Sequence, residues 1–293
     1  MLRLLRSEVY RVVRRWMPWV LLLFVIALSF VLYELIWVTT STQLQAIRSG
    51  TAPTTPNAPP PDVQIRSLES AIQTLRPSRL IDLGMNLVTG LGSVLMIVFA
   101  ASHVGTEWAW GTLRTLLASG ASRNGFLVSK YVTLVAYAVS YTIVGIAAAL
   151  TASFVVSSQA GLDTSGLDVA TVASAGARAI YGFIPYMAMA ALIALWFRSS
   201  GGGIAAGLVI YFTENIAFGV LIAINRDLAW IANLGISRNA ESIARVTVST
   251  AERPPGAVPL PDQGPAAIAL ALWTLIFVAL TVWRLRSRDI TLA

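Results

Sequence analysis

Few residues of this chain have the types and spacing that catalysis or metal binding requires. His103 is the one histidine and there is no cysteine, which excludes disulfides and cysteine-based metal sites. The motifs H-E-x-x-H, G-x-S-x-G and G-x-x-x-x-G-K-S/T, which are typical of metalloproteases, serine hydrolases and phosphate-binding loops, do not occur in the sequence. We therefore expect that the chain is not an enzyme and binds no cofactor or metal, and that any energy for driven work comes from a partner.

Two acidic residues, Glu34 and Glu214, lie within long apolar stretches. Glu34 is close enough to the end of its stretch to reach a membrane interface, whereas Glu214 and its neighbour Asn215 lie near the middle of theirs. A carboxylate at mid-membrane is costly unless it faces protein or water. Glu214 and Asn215 are therefore candidates for a transport pathway or proton acceptor, or for a packed polar contact with a Tyr, Thr or Asn of another helix.

A third candidate region is the segment 105–130, which follows the second apolar stretch. Trp110, Leu113 and Leu117 share one face of a helix predicted over about 106–118, and Glu107 and Arg123 flank that face. An apolar helix face outside the spans favours a docking surface for another protein. The alternative is a helix that rests on the lipid surface.

These candidates must be positioned by six long apolar stretches, at about 16–37, 83–104, 126–157, 176–197, 204–224 and 266–284. A helix rises about 1.5 Å per residue, so about 20 apolar residues cross the roughly 30 Å hydrocarbon core of a bilayer. Only 12% of the residues are charged, compared with about 25% in soluble domains. The sequence predicts an all-α, polytopic membrane protein with six transmembrane helices in a single domain, residues 1–293.

The charged residues are distributed unequally between the two sides of that arrangement. One side carries twelve basic and three acidic residues, and the other carries nine of each. Because cytoplasmic loops are enriched in Lys and Arg, this pattern predicts that both termini are cytoplasmic. It also explains the net charge of +7 without a nucleic acid partner.

The segments outside the spans have their own patterns. Residues 1–15 predict an interfacial amphipathic helix whose arginines approach anionic lipid; the simpler alternative is a basic flank that only sets the orientation. The arginines concerned are Arg3, Arg6, Arg11, Arg14 and Arg15.

Outer loops are predicted at 38–82 and 225–264. The first should contain a short helix at about 63–76, and the second should contain short helices at the outer interface. Three glycines, 201–203, predict a tight turn between the fourth and fifth spans.

The segment after the second span resembles the permease subunits of ABC-2 type ABC transporters. In that family a Glu is followed by Gly-Thr, a Leu-rich turn, Ser-Arg and a Lys. The matching positions here are Glu107, Gly111, Thr112, Leu116, Leu117, Ser122, Arg123 and Lys130. The N-terminal pair Ser7-Glu8, followed by clustered arginines and the first span, is similar as well.

This resemblance implies a bacterial plasma-membrane exporter. Such permeases pair with a second copy or a paralogue, and each binds a separate ABC ATPase subunit, which holds ATP and Mg²⁺. The implied coupling helix covers about 106–118, with contacts from Glu107, Trp110, Gly111, Thr112, Leu113, Leu117 and Arg123. The transported substrate is not implied. A non-transporting membrane anchor or sensor that recruits a cytoplasmic partner is the alternative.

Overall fold

The computed structural model describes residues 2–51, 59–109, 122–245 and 258–287. Most of these residues are helical, and no β-strand occurs among them. The helices are α1 (Leu2–Arg14), α2 (Trp16–Arg48), α3 (Pro61–Gln73), α4 (Gly84–Ala109), α5 (Arg123–Gln159), α6 (Val169–Phe197), α7 (Ser200–Ile224), α8 (Ala229–Ala232), α9 (Ile236–Ala244) and α10 (Gln263–Arg286). Six of them are long and apolar enough to cross a membrane: α2, α4, α5, α6, α7 and α10. The prediction of an all-helical protein with six candidate spans is confirmed.

The first span is longer than the apolar pattern predicts. It was expected to end near residue 37, but α2 continues to Arg48. The added turns pack against α3, with Leu44 buried and Arg48 paired with Glu69 at 2.8 Å. The loop predicted over 38–82 is therefore helical at its start, because tertiary packing supports a polar helix that has no hydrophobic pattern of its own.

The connection between α6 and α7 also differs from the prediction. Gly201, Gly202 and Gly203 lie in the first turn of α7, and the chain reverses at Arg198 and Ser199 instead. Arg198 has a φ of 53°, and the Ser199 hydroxyl caps α7 by accepting a bond from the Gly202 N–H at 3.2 Å.

Helices α4 and α6 lie at the centre of the bundle. In the most apolar 18-residue stretch of each of them, 61% of the residues are buried, compared with 6% in α7 and 17% in α2 and in α10. The peripheral helices therefore expose broad apolar faces, which would contact lipid or another chain. We call the end of the bundle that contains Arg123 and Arg286 the basic end, and the end that contains α3 the loop end.

Candidate functional site

A buried cluster of charges joins three helices at the basic end. Lys130 of α5 has its Nζ 2.7 Å from Oε2 of Glu8 in α1 and 2.7 Å from Oε1 of Glu107 in α4. All three residues are 1% exposed. Since a buried charge needs a partner of opposite sign, each of these side chains depends on the other two helices. We call this set the charge cluster.

Two arginines, Arg11 in α1 and Arg15 directly after it, complete the charge cluster. Arg11 Nη1 lies 3.1 Å from both carboxylate oxygens of Glu107, and Arg15 Nη1 donates to Thr106 at 2.8 Å. Glu8 and Arg11 share a face of α1 because they are three positions apart. Arg15, between α1 and α2, has its Nη2 3.8 Å from Oε1 of the same Glu107. The prediction that the arginines of this helix face lipid is therefore wrong for Arg11 and Arg15, which turn toward the protein.

The opposite face of α1 is exposed. Arg6 and Arg14 lie there together with Val9 and Val13. Apolar and basic residues side by side are typical of a helix in a membrane interface. Of the arginines on α1 whose side chains are described, Arg6 and Arg14 thus remain candidates for contact with anionic lipid.

His103 belongs to the same region. Its ring stacks on Phe99 with the centroids 5.5 Å apart, and its Nε2 lies 3.4 Å from Glu8 Oε2. It is 3% exposed. A ring buried against Phe99 beside the charge cluster favours a structural role for His103.

Glu107 does not lie at the start of a separate docking helix. Residues 106–109 are the last turn of α4, where the negative end of the helix dipole disfavours a carboxylate, and the surrounding cations offset that cost. The remaining predicted docking positions Trp110, Gly111, Thr112, Leu113 and Leu117 lie outside the described residues. The structure thus places Glu107 next to that segment, in the charge cluster.

Arg123 lies apart from Glu107 and contacts the last span. Its Nη1 donates to the carbonyl oxygens of Leu285 and Arg286, at 2.9 and 3.1 Å, in the last turn of α10. Arg286 in turn donates to Asn124 Oδ1 at 3.0 Å. A cation suits the carbonyl end of a helix, so Arg123 ties the start of α5 to the end of α10. Its contact with a partner protein stays a prediction.

The chain after α7 does not lie flat at the outer interface as predicted. Glu214 is ten residues, or about 15 Å, before the end of α7, and its Oε1 accepts a hydrogen bond from the Ser237 N–H at 2.8 Å. Trp273 Nε1, within α10, donates to Leu234 O at 2.8 Å. The segment containing α8 and α9 therefore turns back along the spans, to the level of their middle residues.

Glu214 caps α9, which explains why the segment can reach that depth. Gly235 supplies no capping side chain, and a Cβ there would lie 2.5 Å from Glu214 Oε1. Free N–H groups at a helix start are costly away from water, and the carboxylate satisfies the one at Ser237. This contact favours the structural interpretation of Glu214, with a backbone N–H as the partner instead of a side chain.

A polar cleft of about 470 Å³ lies between α4, α6, α7 and α9. On α4 it is lined by Asn86, Thr89 and Ser93, and on α7 by Tyr211 and Asn215. The α4 residues are three and four positions apart, so they form one polar face along an otherwise apolar helix. The cleft therefore extends from the loop end into the depth of the spans.

The cleft is open along its side as well. Asn86, Gly90 and Asn215 line it and are also exposed in the single chain. Each of the two amide nitrogens donates to a backbone carbonyl four residues earlier, but among the described residues their amide oxygens accept no hydrogen bond. A polar group without a partner is not stable against hydrocarbon, so we expect this side to face water or another chain. The arrangement can bind an uncharged polar group at membrane depth, through amide and hydroxyl groups.

Sequence reasoning found part of this cleft. Asn215, a candidate for either a pathway residue or a packed polar contact, lines the cleft, whereas Glu214 caps the α9 helix that forms one wall of the cleft. Asn86, Thr89 and Ser93 were missed, because each is an ordinary helix residue taken alone. The sequence signal that could have found them is their spacing, which places all three on one face of α4 together with Gly90.

The comparisons with known proteins identify a family for this chain but no function. The model of the family described as "Protein of unknown function (DUF2705)" matches residues 71–291, about three quarters of the chain. Neither the search of curated proteins nor the search of solved structures gave a match. The matched range includes the five spans from α4 to α10 and the whole polar cleft. On this match, the chain belongs to the DUF2705 family.

Proposed function

We propose that this protein is the membrane subunit of an ATP-driven exporter of the ABC-2 type, which works as a dimer with a separate ATPase subunit. The observation that carries the proposal is the polar cleft within the six-span bundle. A protein that served only as an anchor would need no hydrogen-bonding face at the depth of Ser93 and Asn215. A transport subunit needs such a face on the path of its substrate.

The charge cluster supports the proposal from the other end of the bundle. It links α1, α4 and α5 by buried ion pairs, and its Glu107 belongs to the segment of about 106–118, to which the resemblance assigns ATPase docking. A force applied to that segment would act on all three helices together. Lys130, Glu107 and Glu8, which carry part of the resemblance, are the residues that meet in the cluster.

The exposed faces of the bundle support a second copy. Asn215 lies on α7 beside Phe212 and Ile216, which are 50% and 65% exposed. A second copy or a paralogue against α7 and α4 would cover the open side of the cleft and leave α10 to lipid. The basic end would then be cytoplasmic, with both termini, in a bacterial plasma membrane, and Arg6 and Arg14 would lie among lipid headgroups.

Co-expression with an ABC ATPase subunit from the same genome tests this proposal. The wild-type chain should copurify with the ATPase as a complex of two membrane subunits and two ATPases. Leu113→Asp should lose the ATPase, because a charge in a desolvated docking surface costs several kcal/mol. Ser287→Asp, at the same end of the bundle, is the control and should keep it. A wild-type chain that binds none of the ATPases tested would support the non-transporting anchor or sensor instead.

A further inference from the structure

The charged side chains at the rim of the polar cleft leave one arginine without a carboxylate partner. Four charged residues line the cleft: Asp82, Arg178, Glu241 and Arg245. Glu241 is paired with Arg245 on α9. Asp82 is paired with Arg79, 3.4 Å away and outside the lining. Among the described residues, Arg178 has no carboxylate within ion-pairing distance. With Arg79 counted, the rim carries three arginines and two acids, and Arg178 is the surplus cation.

Arg178 is held in place by a neutral group. Its Nη1 donates to the backbone carbonyl of Arg245 at 3.0 Å, and the side chain is half-buried on α6. A guanidinium has five N–H donors in a fixed plane, suited to two oxygens of a carboxylate or phosphate. One contact with a carbonyl leaves most of these donors available to a ligand.

The side chains that line the cleft below Arg178 are uncharged, and the Glu214 carboxylate behind the α9 wall is held by the start of α9. Tyr186 lies eight residues further along α6, or about 12 Å deeper, and Tyr211, Asn215 and Ser93 line the same depth. Phenol, amide and hydroxyl groups donate and accept hydrogen bonds without a net charge. A ligand that fills the cleft would therefore place its uncharged polar part there and its charge at the rim.

We propose that the cleft binds a molecule with one anionic group, a carboxylate or phosphate, at Arg178, and with an uncharged hydroxyl- or amide-bearing part that reaches toward Tyr211 and Asn215. This inference rests on the cleft as the transport path and adds a substrate class to it. A free solute and a lipid headgroup both have this chemistry, and the experiment separates them.

The preference of the cleft for anionic molecules can be measured with a single introduced cysteine, because the chain has no cysteine of its own. Gly90 lines the cleft, and a Cβ built there meets nothing within 4 Å. Gly90→Cys should react faster with anionic sulfonatoethyl methanethiosulfonate than with the cationic trimethylammonium reagent. Each rate is divided by that at Ser70→Cys on α3, which is exposed and outside the cleft. Equal normalised rates, or a faster cationic reagent, would overturn the proposal.

Variants at the rim identify the source of the preference. Arg178→Gln should lower the anion-to-cation ratio at Gly90→Cys by about fivefold or more, as expected for one charge at several ångströms in a partly wet site. Arg178→Lys should keep the preference. The double variant Glu241→Gln/Arg245→Gln removes a neutral pair and is the matched control, with an unchanged ratio. An unchanged ratio in folded Arg178→Gln would assign the preference elsewhere and contradict the proposal.

Protection from labelling distinguishes the two ligand sources. Glycerol 3-phosphate in solution, or dioctanoyl phosphatidylglycerol in phosphatidylcholine nanodiscs, should slow labelling at Gly90→Cys, and glycerol should not. Protection by the first indicates a soluble anion, and protection by the second alone indicates a lipid headgroup; either supports the anionic group. Protection by neither, or equal protection in Arg178→Gln, would refute it. These measurements use the chain without an ATPase, so they can fail independently of the proposed function.

Discussion

The Nζ of Lys130 and the Oε1 of Glu107 lie 2.7 Å apart in the protein interior, across the connection between α4 and α5. Each residue is 1% exposed. The second carboxylate, from Glu8, approaches the same ammonium from α1. The first helix is therefore tied to the bundle by an ion pair that is buried away from solvent.

Removal of the central cation should strongly destabilise the protein. Lys130→Met leaves two carboxylates in a buried site without the ammonium between them, and we expect a loss of about 3–5 kcal/mol in the free energy of unfolding. Thermal unfolding in detergent measures it. Arg48→Met is the control, because the Arg48–Glu69 pair has a similar distance of 2.8 Å but is exposed, and such pairs contribute less than about 1 kcal/mol.

Coupling within the charge cluster can be measured separately. The double variant Lys130→Met/Glu8→Gln should be more stable than the sum of the two single losses predicts, by about 1 kcal/mol or more. Strict additivity would show that the 2.7 Å contact carries no interaction energy.

The hydrogen bond that Glu214 accepts at the start of α9 should be needed to hold residues 225–245 in place. Glu214→Ala removes the acceptor of the Ser237 N–H, and an unsatisfied buried donor costs about 1–3 kcal/mol. Glu214→Gln keeps an acceptor oxygen and should lose less. Asn215→Ala is the neighbouring control, since that side chain is exposed and donates only to Tyr211 O, in its own helix. The measurement is the unfolding temperature together with protease resistance of residues 225–245. Equal resistance in Glu214→Ala and wild type would show that the cap does not hold the segment.

The spans could be predicted because crossing a bilayer requires a length of apolar residues that is visible locally. The ends of elements could not be predicted equally well. Residues 38–48 are polar and are helical because they pack against α3, which is distant in sequence. Residues 225–245 carry an ordinary amphipathic pattern, and nothing in that pattern shows that a carboxylate of α7 caps them at depth.

Two glycines of α4 should respond differently to substitution. A Cβ at Gly105 would lie 2.5 Å from the backbone nitrogen of Ser200, so Gly105→Ala must push α4 away from the start of α7, at a cost of about 1–3 kcal/mol. Gly90→Ala meets nothing and should be neutral or stabilising by up to about 1 kcal/mol. Thermal unfolding of both variants tests the packing. Equal stability would contradict this close approach of α4 and α7.

The candidate site was harder to predict than the spans. Resemblance marked Glu8, Glu107 and Lys130, but only the packing of three helices shows that they meet. Glu107 was predicted to flank an exposed docking face, because the sequence around an acidic residue does not show whether that residue is buried or exposed. The cleft combines single polar residues from four elements, and each of them alone is compatible with a purely structural role.

The orientation in the membrane has a direct test. The excess of basic residues at the basic end predicts a cytoplasmic location for it. Ser70→Cys on α3 should react with an impermeant maleimide in intact cells, and Ser287→Cys, after α10, should react only after permeabilisation. Labelling of both sites in intact cells would contradict the predicted orientation.

The central claim is that ATP hydrolysis by a partner acts on the polar cleft. It is tested most directly by the labelling rate of Gly90→Cys in the purified complex with the ATPase, in proteoliposomes. We expect Mg-ATP with vanadate to change this rate relative to the nucleotide-free complex, and we expect no change without the ATPase or in Leu113→Asp. An unchanged rate in a complex that binds its ATPase and hydrolyses ATP would contradict the account.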